Sequence, residues 1–126
     1  MSDRSIDDTY RLPLYALAAH AVGDFPLQTD WMAESKLDSR VVRCVHVAVY
    51  TAAFIPVVIA SRWTTRQSST FLATVAATHF AIDSRRWNDA VPIWYDQALH
   101  VIALAVAFLL ADHTQDTDTD RSEDGQ

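Results

Sequence analysis

Residues Val41 to Ala60 form a run of twenty in which Arg43 is the only charged side chain, and few chains of this size can accommodate such a segment in water. Coiled as an α-helix, the run is about 30 Å long, the thickness of a bilayer's hydrocarbon core. A soluble helix of the same length needs a charged face opposite its apolar stripe. None exists here, because from Val45 to Ala60 no charge occurs at any helical angle. A second run, Gln97 to Ala111, is apolar apart from Gln97 and His100. Extended back to Trp94, it makes a helix of about 27 Å. Leu12 to Val22 and Ser69 to Ile82 are shorter, and each carries a histidine, His20 or His79.

These four stretches predict an all-α chain: a four-helix, up-down transmembrane bundle over residues 1–111, with a re-entrant or interfacial segment after the first helix. Short connections predict antiparallel neighbours. Trp31, Trp63, Trp87 and Trp94 fall at or just beyond the ends of apolar stretches, where indoles sit at headgroup depth. A soluble helical bundle is the rival reading. Pro13 is expected near the start of the first helix, where a missing N–H costs little, and Pro56 should kink the second. From Asp112 the chain reads DHTQDTDTDRSEDGQ, with no large apolar residue to bury, and residues 112–126 are expected to be a disordered acidic tail.

Charge narrows the partners. The net charge is −6, and no basic cluster could displace counterions from phosphates, so nucleic-acid binding is excluded. Fourteen aspartates against two glutamates, and nine arginines against Lys36 alone, give a halophile-like composition, suited to keeping a surface hydrated in brine. Cys44 stands alone and permits neither an intrachain disulfide nor a thiolate metal site, and packing in the core is its expected role. Met1 to Tyr10 has aspartates where a signal peptide carries positive charge.

The polar residues inside the apolar stretches are not scattered. His20 and Asp24 close the first helix, His46 opens the second, His79 and Asp83 close the third, and Asp96 and His100 open the fourth. An up-down arrangement brings all seven toward one side of the bilayer. Three of the sites pair His with Asp four residues apart, on one helical face with Cβ atoms about 5–6 Å from each other. Ionisable groups within membrane segments are costly and mark sites. Imidazole with carboxylate suits zinc, manganese or iron(II), and two metals could activate water against a phosphoryl group. The expected metal ligands are His20, Asp24, His79, Asp83, Asp96 and His100, with His46 as a further ligand or the general base. Gln28, Gln97, Lys36, Arg85 and Arg86 fall on the same side, where the cations could hold a phosphate. The same spacing also serves a buried histidine that is merely hydrogen-bonded one turn away. Asp38 or Ser39 is the expected cap of the second helix, and His113 is expected to be solvated.

The stretch HAVGDFPLQTDWMAESK at His20 to Lys36, His46, HFAID at His79 to Asp83 and DQALH at Asp96 to His100 together resemble the family known as domain of unknown function 3307, small prokaryotic and phage membrane proteins. The resemblance covers nearly the whole chain except its tails. It implies a multi-span membrane protein and no particular activity. The His/Asp layout is also loosely similar to that of membrane-bound metal-dependent hydrolases.

Two functions follow as expectations. The first is a metal-dependent hydrolase at the cell membrane, acting on a lipid or phosphoester. The second is a non-enzymatic membrane component, a permeation or proton-relay element or a scaffold, in which the same residues form a hydrogen-bonded cluster. By the positive-inside rule, the side with Lys36, Arg40, Arg43, Arg85 and Arg86 faces the cytoplasm, against Arg4, Arg11, Arg62 and Arg66 opposite.

Overall fold

The computed structural model describes residues 4–84 and 92–123, with side chains described for 11–84 and 92–114. All regular structure among them is helical. The chain divides into two compact units, Met1–Arg62 and Trp63–Gln126.

The first unit begins with α1, Arg4–Asp24. It starts well before the apolar run, so Pro13 lies inside the helix and not near its start as expected. Among its described side chains, Ala16, Ala19, His20, Gly23 and Asp24 are buried, a stripe at three- and four-residue spacing that faces the rest of the unit. Ala19 and Gly23 form a small-xxx-small pair that lets a neighbouring backbone come close. A Cβ on Gly23 would lie 2.8 Å from Tyr50 Cδ2 and 3.3 Å from Tyr50 Cα. The segment after α1 holds the short helix α2, Asp30–Ser35, capped by Thr29, whose hydroxyl accepts from Met32 N. Arg43 is buried and ties the following connection down, donating from Nε to Lys36 O at 3.0 Å and from Nη2 to Leu37 O at 2.9 Å.

Helix α3, Arg40–Ala52, is capped by Ser39, as expected. It buries Val42, Arg43, His46, Val47 and Tyr50 along one face. The helix breaks at Ala53 and Phe54 and resumes as α4, Ile55–Ser61, with Pro56 in its first turn, so the expected kink is a full interruption. Helix α4 ends on Arg62, which adopts the left-handed conformation at φ 56°. Helix α1 packs against α3 and α4, and α2 against α3.

The second unit is a hairpin of two helices. Helix α5, Thr65–Ile82, opens with a capping box in which Thr64 and Gln67 satisfy each other's backbone amides. Gln67, Phe71, Val75 and His79 are buried at four-residue intervals. On α5, the hydroxyls of Thr74 and Thr78 donate to carbonyls one turn back, Thr70 O and Thr74 O, each at 2.7 Å. Helix α6, Ile93–Glu123, buries Asp96, His100, Leu104, Ala107 and Ala111. Ring contacts set the register: His79 meets His100 at one end, and Phe71 meets Phe108, with Trp63 on both, at the other. The two helices are therefore antiparallel.

The structure departs from the expected fold. Among the described residues two segments, not four, are long and apolar enough to cross a membrane, Arg40–Ser61 and Ile93–Thr114. Helix α1 carries charges through its first turns, and α5 is diluted by serines and threonines. The backbone of α6 is helical through Glu123. Extending a helix already nucleated costs far less than starting one, so an acidic segment can follow an apolar one in the same helix. Cys44, expected in the core, is exposed.

Candidate metal centre

In the second unit, four titratable side chains gather where α5 ends and α6 begins. His79 lies in the last turn of α5, and Asp83 caps its C-terminus. Asp96 lies in the first turn of α6, with His100 one turn later. The antiparallel register brings the ends together, and all four side chains are buried, from Asp83 and His79 at 1% exposed to Asp96 at 8%.

His79 Nε2 is 3.5 Å from Asp83 Oδ2, and His100 Nε2 is 3.5 Å from Asp83 Oδ1 and 3.6 Å from Asp96 Oδ2. The two imidazoles approach through their Nδ1 atoms at 3.2 Å. Gln97 Nε2 donates to Asp96 Oδ2 at 3.3 Å, steadying that carboxylate. Direct charge-assisted hydrogen bonds are shorter, about 2.7–2.9 Å. The nitrogen–carboxylate separations instead match the spacing of donors around a tetrahedral ion, about 3.3–3.5 Å for metal–ligand bonds near 2.0–2.1 Å. Asp83, Asp96 and His100 each offer a ligand atom within 4.8 Å of the others. Charge fits as well, since two buried carboxylates and one divalent cation sum to zero with neutral imidazoles.

The first unit holds the remaining predicted residues. His20, Asp24 and His46 are all buried, the last at 0% exposure. His46 Nε2 is 3.4 Å from Asp24 Oδ1, so this pair spans α1 and α3 and not one turn of a single helix. His20 Nδ1 is 2.8 Å from the hydroxyl of Tyr50, which is 2% exposed. The Tyr50 ring also packs against His46 and Phe54. Tyr50 was missed in the sequence, although a signal exists: it follows His46 by four residues, the spacing that marked the His/Asp pairs. Gln28 Oε1 and Thr51 Oγ1 are buried without a hydrogen-bond partner among the described residues.

The other expected site residues divide. Arg43 is committed to the connection before α3, and Lys36 provides that connection with a carbonyl acceptor. Arg85, Arg86 and Trp87 lie outside the described residues. Trp31 and Trp94 are exposed, whereas Trp63 packs between Phe71 and Phe108. His113 is exposed, as expected.

A family model described as a protein of unknown function, DUF3307, matches residues 12–122. No curated protein and no solved structure matches the chain.

Proposed function

The chain belongs to the DUF3307 family of unknown function, and for it we propose an integral membrane protein that holds a divalent metal ion with Asp83, Asp96 and His100, with His79 keeping the His100 ring in place through the Nδ1–Nδ1 contact. The observation that carries the metal reading is that Asp83, Asp96 and His100 are buried and each offers a ligand atom within 4.8 Å of the others. A divalent ion in that set would polarise a phosphoryl or carbonyl oxygen of a lipid or phosphoester. Asp83, reaching both imidazoles, would fix the ligand geometry, and Gln97 would orient Asp96.

The membrane reading rests on the distribution of side chains. Among the described residues, nine polar or charged side chains are buried, while nineteen large hydrophobic ones are exposed, Leu109, Ile59 and Val41 by more than two thirds. Apolar surface on that scale marks contact with lipid or another apolar partner. The two long apolar windows are 28% and 22% buried, low values for core helices of a soluble fold. We place the chain in the cell membrane as a multi-pass protein, with the Lys36 and Arg40 side toward the cytoplasm.

Elemental analysis of detergent-purified protein tests the metal: about one divalent ion per chain is expected, lost in His100→Ala and Asp83→Ala with helicity kept. Metal-free wild-type protein with an intact fold ends the proposal. A carbonate wash tests the membrane, since the protein should stay with the pellet. The second reading, a non-enzymatic polar cluster serving permeation or proton relay, draws on the direct approach of His79 to His100. Under it, chelators leave the protein unchanged, while Asp83→Asn alters conductance or stability.

A further inference from the structure

Asp83, Asp96 and His100 supply three ligand atoms to the proposed ion. A site with three protein ligands leaves a further coordination position for a molecule from outside. Two properties of the set decide which molecule fits: its depth in the bilayer and the charge it already carries.

Depth follows from α6. Its apolar window, Ile93–Thr114, has 22 residues and a rise of about 33 Å, close to the hydrocarbon core of about 30 Å. The window opens with Ile93, Trp94 and Tyr95, all exposed, and closes with Asp112 and His113 exposed. Trp and Tyr gather at headgroup depth. Between the two ends, Val101, Ile102, Val106, Leu109 and Leu110 present apolar surface. Asp96 lies one turn inside the window, about 4–5 Å of rise, and His100 one turn further, about 10 Å. Both side chains tilt back toward the Trp94 end, because Cβ atoms point to a helix's N-terminus. Asp83 caps α5 directly after its apolar run ends at Ile82. The ligand set therefore sits near one edge of the hydrocarbon and well short of its middle. In a diacyl lipid that edge is chemically defined, since the hydrocarbon of each chain begins at its ester carbonyl carbon.

Charge makes the second selection. Two carboxylates and a divalent ion sum to zero with a neutral imidazole. A phosphodiester in the open position would add a negative charge among side chains that are 1–8% exposed, which is costly without a partner cation. An ester carbonyl brings an acceptor oxygen and no charge. Asp96 is the least buried of the three ligands and directly follows exposed Tyr95, so the outside ligand would enter on its side.

We propose that the ion's outside ligand is the ester carbonyl of a membrane acyl lipid, which makes the substrate class an acyl-ester lipid and not a water-soluble phosphoester. It rests on the metal and membrane readings above. The test uses wild-type protein loaded with manganese(II), whose unpaired electrons report nuclei a few bonds away, in vesicles of phosphatidylcholine. One preparation is diacyl lipid with ¹³C at the acyl carbonyls, and the other is dialkyl lipid with ¹³C at the corresponding ether carbons and the same phosphodiester. Electron–nuclear double resonance should show a ¹³C coupling in the diacyl vesicles several-fold larger than in the dialkyl vesicles, and larger than any ³¹P coupling. A strong ³¹P coupling, equal in both lipids, overturns the proposal in favour of the phosphodiester. Labelled triacetin added from water to the dialkyl vesicles, if it matches the diacyl coupling, overturns it in favour of a soluble ester. Retained manganese with no coupling to either nucleus also overturns it, while the metal and membrane readings stand. Protein that sediments with the vesicles but retains no manganese overturns the metal reading itself, and the proposal with it.

Discussion

The Nδ1 atoms of His79 and His100 face each other at 3.2 Å, with ring centroids 4.5 Å apart. A hydrogen bond between two ring nitrogens requires one to donate and the other to accept, and an imidazolium can only donate. A neutral ring that accepts at Nδ1 carries its proton on Nε2, so in this arrangement one ring, and not both, offers Nε2 to an ion. Asp83 and Asp96, both buried beside His100, would supply the carboxylates of the proposed ion.

Asp83 stands 3.5 Å from both imidazoles and is the hub of the proposed ligand set, so Asp83→Asn should abolish metal retention. Gln97 acts only through Asp96, and Gln97→Ala should weaken metal affinity by about 10–100-fold without removing it. Competition with a chelating dye measures both. Equal affinity in wild type and Asp83→Asn would sink the assignment.

Tyr50→Phe removes the hydroxyl bonded to His20 and keeps the ring. Because His20 is 6% exposed, the loss leaves a buried polar nitrogen short of its partner and should cost about 1–3 kcal/mol, read as a lower unfolding midpoint in detergent. An unchanged midpoint would mean that the bond contributes nothing.

Gly23→Ala inserts a methyl group 2.8 Å from the Tyr50 ring and 3.3 Å from its Cα, and the backbone contact cannot swing away. A destabilisation of about 1–3 kcal/mol is expected. Paired with Tyr50→Leu, the substitution should cost less than the two single changes added together, a coupling that a double-mutant cycle measures directly.

Arg62 ends α4 at φ 56° without being glycine. The left-handed conformation costs a side chain about 1–2 kcal/mol, against about 0.5–1 kcal/mol for the extra freedom of glycine in the unfolded chain. Arg62→Gly should therefore raise stability by about 0.5–1 kcal/mol. A drop would show that the guanidinium does more than end the helix.

Much of this was legible in the sequence because apolar period and punctuation agree. The Ser39 cap, the interruption at Pro56 and the pairs His79/Asp83 and Asp96/His100 all depend on neighbours within one turn. What stayed hidden depends on tertiary partners. The pairing of Asp24 with His46 and of His20 with Tyr50 is set by how closely α1 approaches α3, which a glycine at position 23 permits and which no spacing rule encodes. Arg43 counted among the cations of the cytoplasmic side, yet it serves two carbonyls that come within reach only once α2 has folded back on α3. Cys44 read as core because it sits in an apolar run, and in a chain with its polar groups inside, an apolar run is no sign of burial.

The hydroxyl–carbonyl bonds along α5 bear on how such a chain would be threaded into lipid. Thr74 and Thr78 discharge their donors onto their own helix, so a residue-by-residue scale overstates the expense of moving α5 out of water. Arg66 and Gln67 remain at its start and His79 at its end, with Asp83 just beyond, and His79 and Asp83 find counterparts on α6. During biosynthesis, α6 would be the segment able to partition unaided, with α5 drawn in beside it as the other arm of a hairpin.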